Sequence, residues 1–207
     1  MEAFKMSMNE ITTSERIIDC ALELFKQRGF DNVTINDICN AVNITKRTFY
    51  YHFKSKDDLL GKFYTKVYDL NKQSISRLLS ASNFWEQIWI IVGDYVDYTI
   101  QYGHEILKQV FKANLNENKG TFSLEDALVQ QLLLPIIKKA QEAGHVRNQS
   151  SPESLYEATC HIVIGIAVMW CIHNGGFDEK SIILSNLEAL FDVPPEFSLI
   201  NTTHGKK

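Results

Sequence analysis

The chain has 207 residues, 45% hydrophobic and 22% charged, enough apolar side chain for one or two packed domains and too ordinary a balance for a disordered chain. The net charge is −4, but residues 1–66 hold 10 Lys and Arg against 9 Asp and Glu, a balance of +1, while the remainder holds 11 against 16, a balance of −5. A first third that differs electrostatically from the rest can offer a local basic face to a polyanion although the whole is acidic. The opening MEAFKMSMNE has no apolar run, Ile162–Ile172 is too short to span a bilayer, and Cys20, Cys39, Cys160 and Cys171 show no CxxC spacing. The expectation is a soluble cytoplasmic protein with reduced thiols and no membrane partner.

Residues 1–10 read as a frayed arm. A first helix starts near Thr13, where Thr12 and Glu15 stand at capping-box spacing, and stops at Gly29, which accepts the left-handed conformation of a helix end. Thr34 and Asp37 repeat the box at the start of a short second helix ending near Val42. Asn43 tolerates positive φ, so residues 41–45 read as a tight turn. Thr45 caps a third helix that ends near Phe53. Ser55, with Asp58 at the box position, caps a fourth that runs to about Leu79. Longer helices follow over 83–102, 124–143, 152–173 and 178–191, with a polar loop at 114–121 and a loose tail at 194–207. The 83–102 segment is apolar on nearly all sides, the mark of a central helix. No stretch alternates convincingly, so the fold class is all-α.

The opening four helices form a helix-turn-helix layout. Phe49 and Phe53 lie four apart and share a face of the third helix, which with Ile44 can pack on helices one and two. That leaves Lys46, Arg47, Thr48, Tyr50, Tyr51 and His52 on the other faces, a set suited to base edges and phosphates in a major groove. Lys54 and Lys56 follow where backbone phosphate would run. The capped starts at Thr34 and Ser55 bring helix N–H groups, which attract phosphate.

The run IIDCALELFKQRGFDNVTINDICNAVNITKRTFYYHFKSKDDLL, Ile17–Leu60, resembles the N-terminal domain of the TetR-like bacterial transcriptional regulators. ALELF, RGF, the Thr34 start, the turn and TFYYHF occur in order without gaps. The resemblance implies that Thr34 touches phosphate, that Thr45, Lys46, Arg47, Thr48 and Tyr50 face the groove with readout mainly from Lys46 and Arg47, that Tyr51 and His52 meet phosphate or sugar, and that Lys56 holds a phosphate. Asn43 departs from a frequent glycine, and Arg47 is bulky where many members are small. One recognition helix is too few contacts for specificity against a genome, so a homodimer on a palindromic double-stranded operator is expected; the resemblance implies that Pro152–His173 and Asp178–Phe191 form it.

The resemblance also implies a helical domain that binds a small-molecule effector. This divides the chain into residues 1–56, the DNA-binding domain, residues 57–193, the effector and dimerisation domain, and a tail. Candidate pocket residues are Trp85, Trp89, Tyr95, Tyr98, Tyr102, Phe111, His161, Met169 and Trp170. Asp94 and Asp97 beside the tyrosines would suit a cation. Histidine and cysteine spacings complete no metal set, no cofactor motif is present, and no nucleophile elbow or phosphate loop points to an enzyme. The reading is a repressor released by a small molecule. The alternative is a DNA-binding protein of the same fold without such an effector.

Overall fold

The computed structural model describes residues 12–63, 72–118, 120–122 and 128–200. Its helices are α1 Thr13–Arg28, α2 Ile35–Val42, α3 Lys46–His52, α4 Lys56–Phe63, α5 Lys72–Ser80, α6 Phe84–Tyr102, α7 His104–Asn116, α8 Leu128–Glu142, α9 Pro152–Ile172 and α10 Glu179–Phe191, followed by a 3-10 turn at Pro195–Phe197. The described residues contain no strand. The arm, the stretch joining α4 to α5 and the beginning of the helix expected from 124 lie outside the described residues.

Local chemistry accounts for the helix starts. Both capping boxes form: Thr12 and Thr34 accept from the backbone N–H of Glu15 and Asp37, whose carboxylates accept in return from the cap backbone. Ser151 caps α9 with Pro152 in its first turn. At Gly103 the backbone takes φ 83, both ending α6 and starting α7. Glycine makes that turn without the Cβ penalty. Helix α7, which buries Ile106, Leu107 and Val110, is not among the expected helices, and its last turn takes up residues 114–116 of the expected polar loop.

The core has two parts. One joins the opening helices to α7 and the end of α9, through Ile17, Phe25, Phe49, Phe53, Leu59, Leu107, Trp170 and Cys171. The other lies among α6, α8, α9 and α10, around Trp85, Val96, Ile137, Leu184 and Phe191. Helix α6 packs on α5, α7, α8 and α10, as a helix apolar on nearly all sides should. Helix α4 packs on α1 and on α7, linking the two regions.

The expectation of a loose tail needs correction. The tail is docked through residue 200, since Ser198 Oγ and Leu199 N donate to the Glu188 carboxylate at 2.7 and 2.6 Å, and the Phe197 ring meets that of His145 at 4.6 Å. Helix α9, at a mean hydropathy of 1.7, is long and apolar enough to cross a membrane by length and composition, although its longest unbroken apolar run is not. One side of it is packed on α7, α8 and α10. The other exposes Met169 and Ile172.

Candidate nucleic-acid interface and inner cavity

Helix α3 has seven residues, too few to be stable alone. Tertiary packing holds it. Phe49 and Phe53 are fully buried, with ring centroids 5.8 Å apart. Asn43 enters the turn at φ 59, ψ 53, a true left-handed residue, and Arg16 donates to Val42 O at 3.2 Å across the end of α2. Thr45 Oγ1 accepts from the Thr48 backbone at 3.1 Å, and the two hydroxyls lie 3.0 Å apart.

These anchors turn one face of α3 outward. Thr34, Thr45, Lys46, Arg47, Tyr50 and Tyr51 are exposed, Thr48 and His52 half-buried. Tyr51 is 84% exposed, far beyond what an aromatic needs for packing. It stands edge-on to His52 at 5.0 Å. Two candidates carry further bonds, the first within its own capping box and the second to distant carbonyls. The Thr34 hydroxyl donates to Asp37 Oδ2 at 2.5 Å, and that bond holds the Asp37 carboxyl below its usual range. A phosphate at this helix start therefore competes with an ionised side chain for the hydroxyl proton. Lys56 Nζ donates to Phe30 O at 2.6 Å and Val33 O at 2.9 Å, and lies 4.1 Å from the Phe30 ring centroid. It clamps the turn between α1 and α2, leaving at most one ammonium N–H for a phosphate.

The larger region contains an inner cavity of about 60 Å³, walled by Ile91, Val92 and Tyr95 of α6, Val129 and Leu133 of α8, and Tyr156, Thr159, Cys160, Val163 and Ile164 of α9, with Thr121 and Phe122. Phe122 and Ile164 also border an open groove of about 840 Å³ between α7 and α9, together with Lys108, Phe111, Lys112, Leu115, Val168 and Ile172. Of the nine candidates, Tyr95 lines the cavity and Phe111 the groove. The others do not. Trp85 is fully buried against Phe191, ring centroids 5.5 Å apart. Trp170 is buried, edge-on to His104. Trp89 lies on the Lys180 side of α6. Tyr98 and Tyr102 pair at 5.2 Å against the first core. His161 and Met169 face outward on α9. The wall is mainly aliphatic, and aliphatic residues at helical spacing look the same lining a cavity as filling a core. The crossing of two stripes, 91–92–95 on α6 and 156–159–160–163 on α9, is the only signal, and it needs the helix arrangement to be seen.

The cation reading of Asp94 and Asp97 also changes. Asp94 pairs with Arg77 and Asp97 with Lys180, each at 2.5 Å, so both acids already have cations. The four cysteines are free thiols. Burial pushes the Cys171 thiol up to about 12, and burial also raises that of Cys160. Neither is an activated nucleophile.

Comparison with known proteins places this geometry. Residues 17–62 match the family model described as bacterial regulatory proteins, tetR family. The Tn10 TetC protein of Escherichia coli is 31% identical over 99 residues, 48% of this chain and 47% of that protein; this match thus spans about half of the relative's length. The probable acrEF/envCD operon repressor of Escherichia coli K12 is 23% identical over 176 residues, 81% of this chain and 80% of the relative. Among solved structures, Thermus thermophilus FadR in complex with lauroyl-CoA, a tetR-family repressor, superposes with a TM-score of 0.66 at 23% identity, covering 86% of this chain and 92% of that one. A protein from Saccharomonospora viridis in complex with choline superposes with a TM-score of 0.60 at 18% identity, covering 86% and 95%. Residues 17–62 thus match a tetR-family unit, and the whole chain shares the fold of these structures, an N-terminal helix-turn-helix unit followed by a larger helical domain.

Proposed function

From the premise that residues 17–62 are a tetR-family DNA-binding unit, we propose that the chain is a dimeric, sequence-specific transcriptional repressor released from a palindromic operator by a small molecule. The observation that carries the reading is the outward face of α3. Lys46, Arg47, Tyr50 and Tyr51 are exposed on a helix whose other face is pinned by Phe49 and Phe53. Cations there supply the sequence-independent attraction to phosphate. Arginine and lysine can bond guanine O6 and N7 in the major groove.

The outer face of α9 and α10 supports a two-fold partner. Met169, Ile172 and Ile182 are 46%, 64% and 40% exposed, and exposed Gly165 on the same side lets a second helix approach closely. This apolar strip explains why α9 resembles a membrane helix in composition. The cavity and groove favour an effector over a fully packed domain. Helix α7 lines the groove and packs on α4, which packs on α1. A ligand that prefers one placement of α7 would shift the population of head spacings and so the fit to successive grooves. Fold relatives crystallised with lauroyl-CoA and with choline fit a domain that accepts small molecules of different charge.

The test is selection of bound duplexes from a randomised pool at two salt concentrations. An enriched inverted repeat is the expected result. Retention with no motif would replace sequence-specific repression by non-specific DNA binding. No retention at low salt would remove the DNA reading altogether.

A further inference from the structure

The effector reading above leaves the chemistry of the molecule open, and the linings constrain it. Resting on that reading, we infer that this chain takes a single-chain anionic amphiphile. Its tail lies along the groove between α7 and α9 and points into the inner cavity, and its anionic head, a carboxylate or phosphate, sits at Lys108 and Lys112.

Cavity and groove adjoin across Phe122 and Ile164, which wall both. The inner end offers mostly aliphatic and aromatic surface, which favours removal of hydrocarbon from water. At about 60 Å³ it admits only the end of a chain. The groove, at about 840 Å³, falls in the range of small-molecule sites and holds the rest. Among the described residues, the charged lining residues of the groove are two lysines, and neither lining includes a carboxylate.

Lys108 and Lys112 lie four apart on α7 and so project from one face. Lys108 donates to Glu105 Oε1 at 2.8 Å and Asn174 Oδ1 at 2.7 Å, which fixes its ammonium at the rim with one N–H to spare. Lys112, one turn on, is exposed. A cation at this position would meet two ammonium groups, of which only that of Lys108 has a carboxylate, Glu105, to offset it. The acids it would need, Asp94 and Asp97, are engaged by Arg77 and Lys180. A neutral chain would gain the apolar contacts but nothing from the lysines. Charge thus selects among ligands that the apolar surface alone would accept.

The experiment uses one tail and four heads: dodecanoate, dodecyl phosphate, dodecanol and dodecyltrimethylammonium, each below its micelle concentration. They are titrated calorimetrically into the full-length protein, then added to its complex with a selected duplex. Dodecanoate or dodecyl phosphate should bind at least tenfold more tightly than dodecanol, with the cation weakest; the tighter of the two anions separates carboxylate from phosphate recognition. Lys112→Glu should weaken the anion at least tenfold and leave dodecanol unchanged. Leu133→Trp, which fills the inner cavity, should abolish the preference for a dodecyl over an octyl tail. Equal binding of dodecanol or the cation, indifference to Lys112→Glu in a variant with unchanged circular dichroism, or no binding of any of the four would each overturn the inference. Tight anion binding with no loss of DNA affinity would instead sink the effector reading and leave the ligand class standing.

Discussion

Replacing Lys56 separates two roles that the sequence merges into one. Its ammonium bonds two carbonyls in the turn between α1 and α2 and lies over the Phe30 ring. Lys56→Met keeps the hydrocarbon stem and removes the charge. A hydrogen bond from a charged donor contributes about 1.5–3 kcal/mol net, and a partly exposed cation over a ring about 0.5–1 kcal/mol. The turn is half-buried, so water can replace the ammonium at one carbonyl or both. With water taking over at one carbonyl, the expected cost is one such bond at its lower end plus the ring contact, about 2 kcal/mol, read by urea denaturation of the full-length protein at fixed concentration. Duplex binding gives the second readout. If the remaining N–H meets phosphate, each subunit loses one contact and the slope of log affinity against log salt flattens by about one per subunit. Stability within about 0.5 kcal/mol of the parent would refute the clamp. An unchanged slope would refute the phosphate contact while leaving the clamp intact.

Three further outcomes test other parts of the molecule. Asn43→Ala should cost about 1–2 kcal/mol, because alanine at φ 59 loses the local compensation that asparagine has, whereas Asn43→Gly should be nearly neutral; chemical denaturation distinguishes the two. Arg47→Ala should relax preference at one base pair in each half-site, a loss of about 1–3 kcal/mol in discrimination, while affinity for random duplex falls far less; repeating the duplex selection reads this directly. Burial lifts the Glu179 carboxyl from 4.5 to about 7. The unfolded chain therefore releases this proton from pH 4.5 upward while the fold keeps it to about pH 7. Stability from this group is greatest below pH 4.5, falls between 4.5 and 7, and levels above, by about 3 kcal/mol in all at 1.36 kcal/mol per pH unit. Glu179→Gln should remove that fall and be the more stable protein at pH 8. Parallel unfolding curves for parent and variant from pH 5 to 8 would contradict it.

What could be read from the sequence follows the distance over which each interaction acts. Thr12 with Glu15, Thr34 with Asp37, Asn43 in its turn and Thr45 ahead of Thr48 are settled within three or four residues, and the structure has each of them. The inward pair Phe49 and Phe53 follows from helical period alone. The side chains misjudged have distant partners. Asp94 and Asp97 looked available to a ligand because Arg77 and Lys180 stand 17 and 83 residues away. The tail looked loose because nothing local marks Glu188 as its acceptor. Trp85 and Trp170 looked like pocket walls because a large ring signals burial without saying what fills the space beside it. Lys56 shows both regimes in one residue. Its place after Ser55 at the start of α4 suggests a phosphate ligand, but the carbonyls it bonds lie 26 and 23 residues earlier. A charge in this chain can be assigned a role from sequence only after its nearest opposite partner is known, and helix packing supplies that partner. The same reasoning governs the groove lysines: Lys108 is steadied by Glu105 three residues before it and by Asn174 from beyond the end of α9, and only the second of those contacts ties it to the wall of the groove.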